Sequence, residues 1–353
     1  MTHAPQFPVS KNNPCGLAGL EFVEFVSPQP AVLDALFTGF GFSRTMEQAT
    51  RPIDLYRQGD LTFLVNRESR SFAASFAALH GPSICSMGWR VKNAKQAFEA
   101  AVARGAKPRP EGDFLIDGKP VPAIFGIGDS LIYFVEKSDD LYQRLGFAPA
   151  RTPNLVPSKG FTVLDHLTNN VVKGTMQTWA AFYKSVFGFE EVRYFDIRGA
   201  KTGLTSYALR SPCGFFCIPI NEGTEAKSQI NEYLEEYQGP GIQHLAFLTD
   251  DILGSLKNLE GTPIEMLDMD DQYYRDVFAK FPGITEDKDE VKRRNVLIDG
   301  DDQGYLLQIF TRNLVGPIFI ELIQRKNHSS FGEGNFGALF RSIERDQQKR
   351  GVL

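Results

Sequence analysis

Two stretches of the 353-residue chain carry the same succession of hydrophobic patterns, and this repetition restricts the fold more than any other feature. The first opens with an apolar strand, Leu20 to Val26, and a short helix ending in Phe-Thr-Gly-Phe-Gly-Phe (37–42). The second opens with Val163 to Leu167 and a helix, Met176 to Val186, ending in Phe-Gly-Phe (187–189). Short strands follow in each: Asp54–Gln58 and Thr62–Asn66 in one, Glu191–Ile197 and Thr205–Arg210 in the other, where Phe215–Ile220 continues the pattern. Each half then has a strand feeding a helix, Met87–Val91 before Ala94–Arg104 and His244–Leu248 before Ile252–Leu259. Each ends in an apolar strand, Leu131–Glu136 and Ile318–Gln324. A duplicated strand-helix-strand-strand unit accounts for this, in an α+β chain.

Residues 138–160, with Pro149, Pro153, Pro157 and Gly160, read as a linker between the halves. The division falls near 150–155, giving segments 1–152 and 153–353. This agrees with a length of about two domains at roughly 150 residues each. A hydrophobic fraction of 42% with 29 phenylalanines supplies real cores and excludes a disordered chain. A net charge of −5, with basic residues dispersed, speaks against a nucleic-acid partner. No apolar run approaches the ~18 residues of a membrane span, so no membrane partner is expected. The opening residues lack the pattern of a signal peptide, and the cytoplasm is the expected compartment. Cys15, Cys85, Cys213 and Cys217 read as small core residues.

Near the C-terminus, Phe336, Leu339, Phe340 and Ile343 recur at helical spacing. Asn335 is placed to cap that helix, and Phe331-Gly332-Glu333-Gly334 before it suits a mobile joint.

Three polar residues stand where apolar ones belong. Glu321 interrupts Ile-Phe-Ile-Glu-Leu-Ile, His166 lies in Thr-Val-Leu-Asp-His-Leu-Thr and His244 in Gly-Ile-Gln-His-Leu-Ala-Phe-Leu. Burying such groups costs several kcal/mol, on the order of 2–7 for an unpaired polar group, unless each finds a partner. Taken singly, each reads as a hydrogen-bonded core residue or a solvated edge residue. Yet the chain has only five histidines, and the two in apolar strands share one half with Glu321. Two imidazoles and a carboxylate arriving from three strands are the donor set of a mononuclear non-haem Fe(II) site with one face open. Zn(II) would accept the same donors without redox chemistry. The first half carries Phe22, Ser86 and Tyr133 at the comparable positions, so one metal per chain is expected.

The chain resembles the 4-hydroxyphenylpyruvate dioxygenase family of the vicinal oxygen chelate superfamily over nearly its whole length. The resemblance is carried by Leu-Asp-His-Leu (164–167), Gly-Ile-Gln-His-Leu-Ala (241–246), Leu-Leu-Gln-Ile-Phe-Thr (306–311), Phe-Ile-Glu-Leu-Ile-Gln-Arg (319–325) and Phe-Gly-Glu-Gly-Asn-Phe (331–336). It implies a glyoxalase-like fold of duplicated βαβββ modules in two open-barrel domains, the first a scaffold, with a C-terminal helix closing the active site. It implies one Fe(II) per chain on His166, His244 and Glu321. It places the substrate against Ser206, Asn221, Gln229, Gln308, Phe310, Phe319, Phe331, Asn335 and Phe336, with Gln229, Gln308, Asn335 and Phe336 at the reacting end. The implied partners are 4-hydroxyphenylpyruvate and O2, the products homogentisate and CO2, and the implied assembly a homodimer or homotetramer.

Three other readings share parts of this pattern. Hydroxymandelate synthases use the same fold, metal and substrate but oxidise the benzylic carbon, and carry a smaller aliphatic residue where Phe336 stands. Extradiol catechol dioxygenases need a further histidine in the pocket, and His80 and His328 lie in segments with no evident inward face. A non-enzymatic binding module on this fold would have no need of all three ligands.

Overall fold

The structure is a computed structural model that describes residues 4–198 and 202–351. Its core is two mixed sheets with the same strand order. In the first, Ser43–Gln48, Ile53–Gln58, Leu61–Asn66, Leu17–Val26, Ser83–Val91 and Leu131–Glu136 lie side by side, continued by Ala123–Phe125 and Pro108–Arg109. In the second the corresponding order is Glu190–Arg198, Gly203–Arg210, Cys217–Gly223, Phe161–Val171, Gly241–Thr249, Phe319–Lys326, Tyr305–Phe310 and Leu297–Gly300. The parallel contacts fall at the same two places in each sheet. These are the duplicated βαβββ modules expected from the sequence, in a mixed α+β fold.

The patterned elements appear close to their expected bounds; Leu131–Glu136 coincides with its strand, and the helix after Phe161–Val171 runs Met176–Phe187. Elements with weak patterns escaped the sequence reading. Ser43–Gln48 is one, a polar strand that is half exposed along most of its length. The helix Phe72–His80, capped by the Ser71 side chain, is another.

The stretch read as a linker is instead folded. Phe147–Asn154 pairs antiparallel with Ser43–Gln48 as the ninth strand of the first sheet. Its prolines fit because an edge strand leaves one row of N–H groups without a ladder partner. The chain also crosses back on itself. The Phe7 amide donates to the Gly214 carbonyl and that of Ser10 to Pro212, so these N-terminal residues lie against the second sheet.

The excess of phenylalanine gathers where the halves meet. Phe40, Phe42 and Phe63 of the first half pack on Phe247 of the second, with ring centroids 5.6 to 5.8 Å apart. Trp89 meets Phe187 and Phe216 at 5.0 and 5.4 Å. Each fully buried aromatic contributes roughly 1.5–3 kcal/mol, so the two sheets share one continuous core. All four cysteines are buried and free. Among the described residues, no helix is long and apolar enough to cross a membrane.

Candidate metal centre and substrate cavity

Strand register explains why three distant residues meet. Phe161–Val171, Gly241–Thr249 and Phe319–Lys326 are neighbours, with Gly241–Thr249 in the middle. His166 pairs across from Ala246, and Ala246 from Glu321, so the imidazole and the carboxylate stand either side of one small residue. His244 precedes Ala246 by two positions and therefore shares its face. Ala246 puts only a methyl group between them.

His166 Nε2 lies 3.1 Å from Glu321 Oε2, and His244 Nε2 lies 3.3 Å from His166 Nε2 and 3.4 Å from Glu321 Oε2. Donor atoms about 2.1 Å from one ion, at right angles to each other, are separated by about 3 Å, so this triangle fits one face of a six-coordinate metal. Among the described residues these three form the group of His, Cys, Asp or Glu donors able to hold an ion. All three are buried. Burial lowers the pKa of both imidazoles. For His166 the Glu321 charge and bonds to Asp165 and Glu321 outweigh it and raise the pKa; His244 stays lowered. Burial pushes Glu321 upward, but the two imidazoles hold it below the ordinary carboxylate range. The carboxylate is thus kept ionised, the form a metal requires.

The imidazoles are fixed differently. His244 stacks on Phe319 with ring centroids 4.7 Å apart. His166 meets the edge of Phe331 at 5.4 Å and has Asp165 Oδ2 2.7 Å from its Nδ1.

One cavity opens from the triad. Ser206, Asn221, Gln229, Gln308, Phe310, Phe319, Phe331 and Phe336 all line it. Asn335 does not: it is buried behind Gln308, its Nδ2 donating to Gln308 Oε1 at 3.3 Å and its Oδ1 accepting from the Tyr273 hydroxyl at 2.6 Å. This also corrects its expected capping role. The turn Glu333–Asn335 runs directly into the helix Phe336–Lys349, Asn335 has helical dihedrals, and its side chain makes no capping bond because it is engaged inward. Sequence reasoning missed Thr168, Phe195, Ile197 and Gln243, which also line the cavity. Alternation along the strand expected at Glu191–Ile197, and found at Glu190–Arg198, would have paired Phe195 with Ile197 on one face.

The C-terminal helix covers the cavity with Phe336, Leu339, Phe340 and Ile343, the apolar stripe seen in the sequence. Polar contacts anchor the helix to its neighbours: Ser342 Oγ donates to the Asp268 carbonyl at 2.7 Å, Arg312 pairs with Asp346 at 2.7 Å and Gln347 donates to Glu232 at 2.8 Å. The preceding glycines answer a packing demand. Gly332 has φ +78°, and a Cβ there would collide with the Gln308 amide; one at Gly334 would collide with the Asp299 carboxylate.

His80 lies away from the cavity, its Nδ1 2.6 Å from the Tyr237 carbonyl and its ring stacked on Tyr237. His328 stands beside Ser330 and Asp301. No third histidine lines the cavity among the described residues.

Comparison with known proteins agrees with this geometry. Residues 11–145 match the hydroxyphenylpyruvate dioxygenase N-terminal domain, and residues 163–291 the glyoxalase/bleomycin resistance protein/dioxygenase superfamily. The chain is 55% identical to Protein MelA of Shewanella colwelliana over 347 residues, covering 98% of this chain and 99% of that one. It is 43% identical to 4-hydroxyphenylpyruvate dioxygenase of Legionella pneumophila over 348 residues, with the same coverage. A solved variant of 4-hydroxymandelate synthase from Streptomyces coelicolor superposes with a TM-score of 0.81 at 25% identity, over 94% of this chain and 99% of that one. With its duplicated fold, its His-His-Glu triangle and these relatives, the chain belongs to the 4-hydroxyphenylpyruvate dioxygenase family of the vicinal oxygen chelate superfamily.

Proposed function

We propose that this protein is a 4-hydroxyphenylpyruvate dioxygenase, converting 4-hydroxyphenylpyruvate and O2 to homogentisate and CO2 with one Fe(II) per chain held by His166, His244 and Glu321. The observation that carries the reading is the cavity itself: a buried charged triangle and phenylalanine walls, with the side-chain amides of Asn221, Gln229, Gln243 and Gln308 on the same lining. One carboxylate and two neutral imidazoles leave a divalent ion with a net positive charge and an open face, suited to an anionic 2-oxo acid. Bound iron would supply the activation of O2 and the electron transfer that decarboxylation and ring hydroxylation require.

The chain's own residues bind, orient and exclude water. Phe331 and Phe336 give the aromatic ring an apolar slot on the cavity side facing the helix, with Phe195 5.4 Å from Phe336 behind it. Gln308 is buried, and Asn335 holds its amide from behind, so it presents a fixed polar group to the substrate. Gln229, at the first turn of the helix Gln229–Tyr237, offers a second amide, with Ser206 and Asn221 beside it on paired strand positions. The Phe336–Lys349 helix shields the reaction from water. The balance closes: both atoms of O2 enter homogentisate, one in the new carboxylate and one on the ring, and the original carboxyl leaves as CO2. Residues 1–152 serve as scaffold and 153–353 as the catalytic part, in a cytoplasmic homodimer or homotetramer.

Hydroxymandelate synthesis is the second reading, favoured by the structural likeness to such an enzyme. The bulk of Phe336 beside the ring slot argues for ring attack. Oxygen uptake on 4-hydroxyphenylpyruvate, with and without added Fe(II), followed by product identification, separates the two. Homogentisate with Fe(II)-dependent uptake is expected; hydroxymandelate transfers the chain to the second reading, and no uptake on this substrate removes both.

A further inference from the structure

His166 and Asp165 are consecutive in a strand, where neighbouring side chains ordinarily point to opposite faces. Here they do not. The pairing with Gly241–Thr249 slips between Leu164 and His166, a bulge that turns Asp165 toward its neighbour. Asp165 is completely buried, and both its oxygens are engaged. Oδ2 lies 2.7 Å from His166 Nδ1, while Arg325 grips the carboxylate as a fork, Nε to Oδ1 at 2.6 Å and Nη2 to Oδ2 at 2.8 Å.

Arg325 follows Glu321 by four positions on the same strand and so shares its face. Its remaining nitrogen, Nη1, donates to the carbonyls of His328 at 3.1 Å and Ser330 at 2.6 Å. Those carbonyls belong to the turn that delivers Phe331 to the cavity, and the guanidinium lies 5.9 Å from the Phe331 ring and 5.3 Å from that of Phe7. One buried cation therefore joins a triad imidazole to the segment that lines the ring slot. His244 has a neutral partner instead, its Nδ1 lying 3.4 Å from the Gln243 side-chain oxygen.

We propose that Asp165 and Arg325 are a pair of positioning residues. Once a metal replaces the Nε2 proton, the Nδ1–H bond to Asp165 leaves the His166 Nε2 lone pair facing the other two donors and restrains the ring there. Arg325 fixes the carboxylate that does this and sets the Ser330–Phe331 turn at the same time, coupling the order of the metal site to the wall of the substrate cavity. Lysine cannot replace it, because a point charge lacks the fork. The proposal rests on the metal reading of the triad.

The test uses the full-length protein and Co(II), whose visible absorption reports ligand geometry, with binding measured by equilibrium dialysis and the fold checked by near-ultraviolet circular dichroism. Asp165→Asn and Arg325→Met are each expected to weaken Co(II) binding by about 10- to 100-fold and to change the absorption bands, as loss of a ligand's outer partner does. The double variant, which leaves no unpaired buried charge, is expected to bind no more weakly than the worse single change, because the two act as one unit. In metal-free protein, Arg325→Met is expected to speed proteolysis between residues 326 and 336, while Asp165→Asn, which keeps the bonds to His328 and Ser330, leaves it unchanged. If a charge-unbalanced single variant does not fold, Arg325→Lys and the double variant carry the test. Wild-type affinity and bands in those two overturn the proposal. Glu321→Gln separates this from a failure of the underlying reading: should it bind Co(II) as tightly as wild type, the triad is not a metal site.

Discussion

The two sheets share one strand order and one register, yet the second gathers imidazoles where the first packs rings. In the first half Phe22 pairs with Gly88 and Gly88 with Tyr133, just as His166 pairs with Ala246 and Ala246 with Glu321. Ser86 precedes Gly88 as His244 precedes Ala246. The positions expected from sequence to be the silent counterparts of the triad are therefore its register equivalents. Phe22, Phe114 and Tyr133 fill that space with ring centroids 5.2 to 6.3 Å apart, and even a Cβ on Gly88 would collide with the Phe22 ring. The scaffold fixes where side chains converge; their chemistry decides whether the point of convergence becomes a core or a metal centre.

Buried carboxylates sharpen the contrast. Glu24 of the first half has an amide and a hydroxyl for partners: Asn66 Nδ2 donates to it at 2.7 Å, and Ser86 bonds its other oxygen. Burial dominates there and pushes its pKa up. Glu321, equally buried, has two imidazoles and is held low. Burial is common to both carboxyls, and the balance between it and the partners each finds moves their pKa values in opposite directions.

The comparison can be tested at four points. Glu321→Gln should leave the fold intact while iron content and oxygen uptake fall by at least about 100-fold, beyond the cost of losing an outer partner; normal turnover would mean the second half has no more chemistry than the first. Phe22→Ala should destabilise the protein by about 3–5 kcal/mol in urea titration while the folded fraction keeps its kcat. A loss of kcat without loss of stability would make the first half part of the active site. Gln308→Leu should raise KM about fivefold to tenfold, the worth of one buried hydrogen bond, and leave metal content unchanged; an unchanged KM would remove Gln308 from substrate binding. The smallest effect is expected from Glu24→Gln. A carboxyl whose folded pKa is raised stabilises the fold below its unfolded value of about 4.3 and loses that contribution as pH rises through the folded value. The variant should therefore gain on the wild type in melting temperature as pH climbs from about 4 to 8; a constant gap would show that Glu24 does not change its protonation on folding.

Much of the site was legible because buried polar residues in apolar strands announce themselves. His166, His244 and Glu321 break hydrophobic runs, and no long-range information was needed to notice them. Asp165 and Arg325 lie within the sequence blocks that carry the family resemblance, yet nothing local marks them. Alternation places Asp165 on the face opposite His166, and only the bulge reverses that. Asn335 has the residue type of a helix cap, but Tyr273 and Gln308 compete for its side chain from elements far away in the chain. The prolines of 147–154 suggested a loop because local chemistry does not distinguish a loop from the outer strand of a sheet.

The amino-acid order alone determined the duplication, the strands and helices with strong periodicity, and the three donors, since each depends on side-chain alternation or on the cost of burying charge. Tertiary structure decided what depends on contacts between distant segments: the bulge at Asp165, the inward turn of Asn335, the return of the N-terminal residues to the second sheet, and the seam where phenylalanines of both halves interlock. Periodicity acts over a few residues, whereas the partner a buried polar group finds is set by strands brought together from more than a hundred positions away.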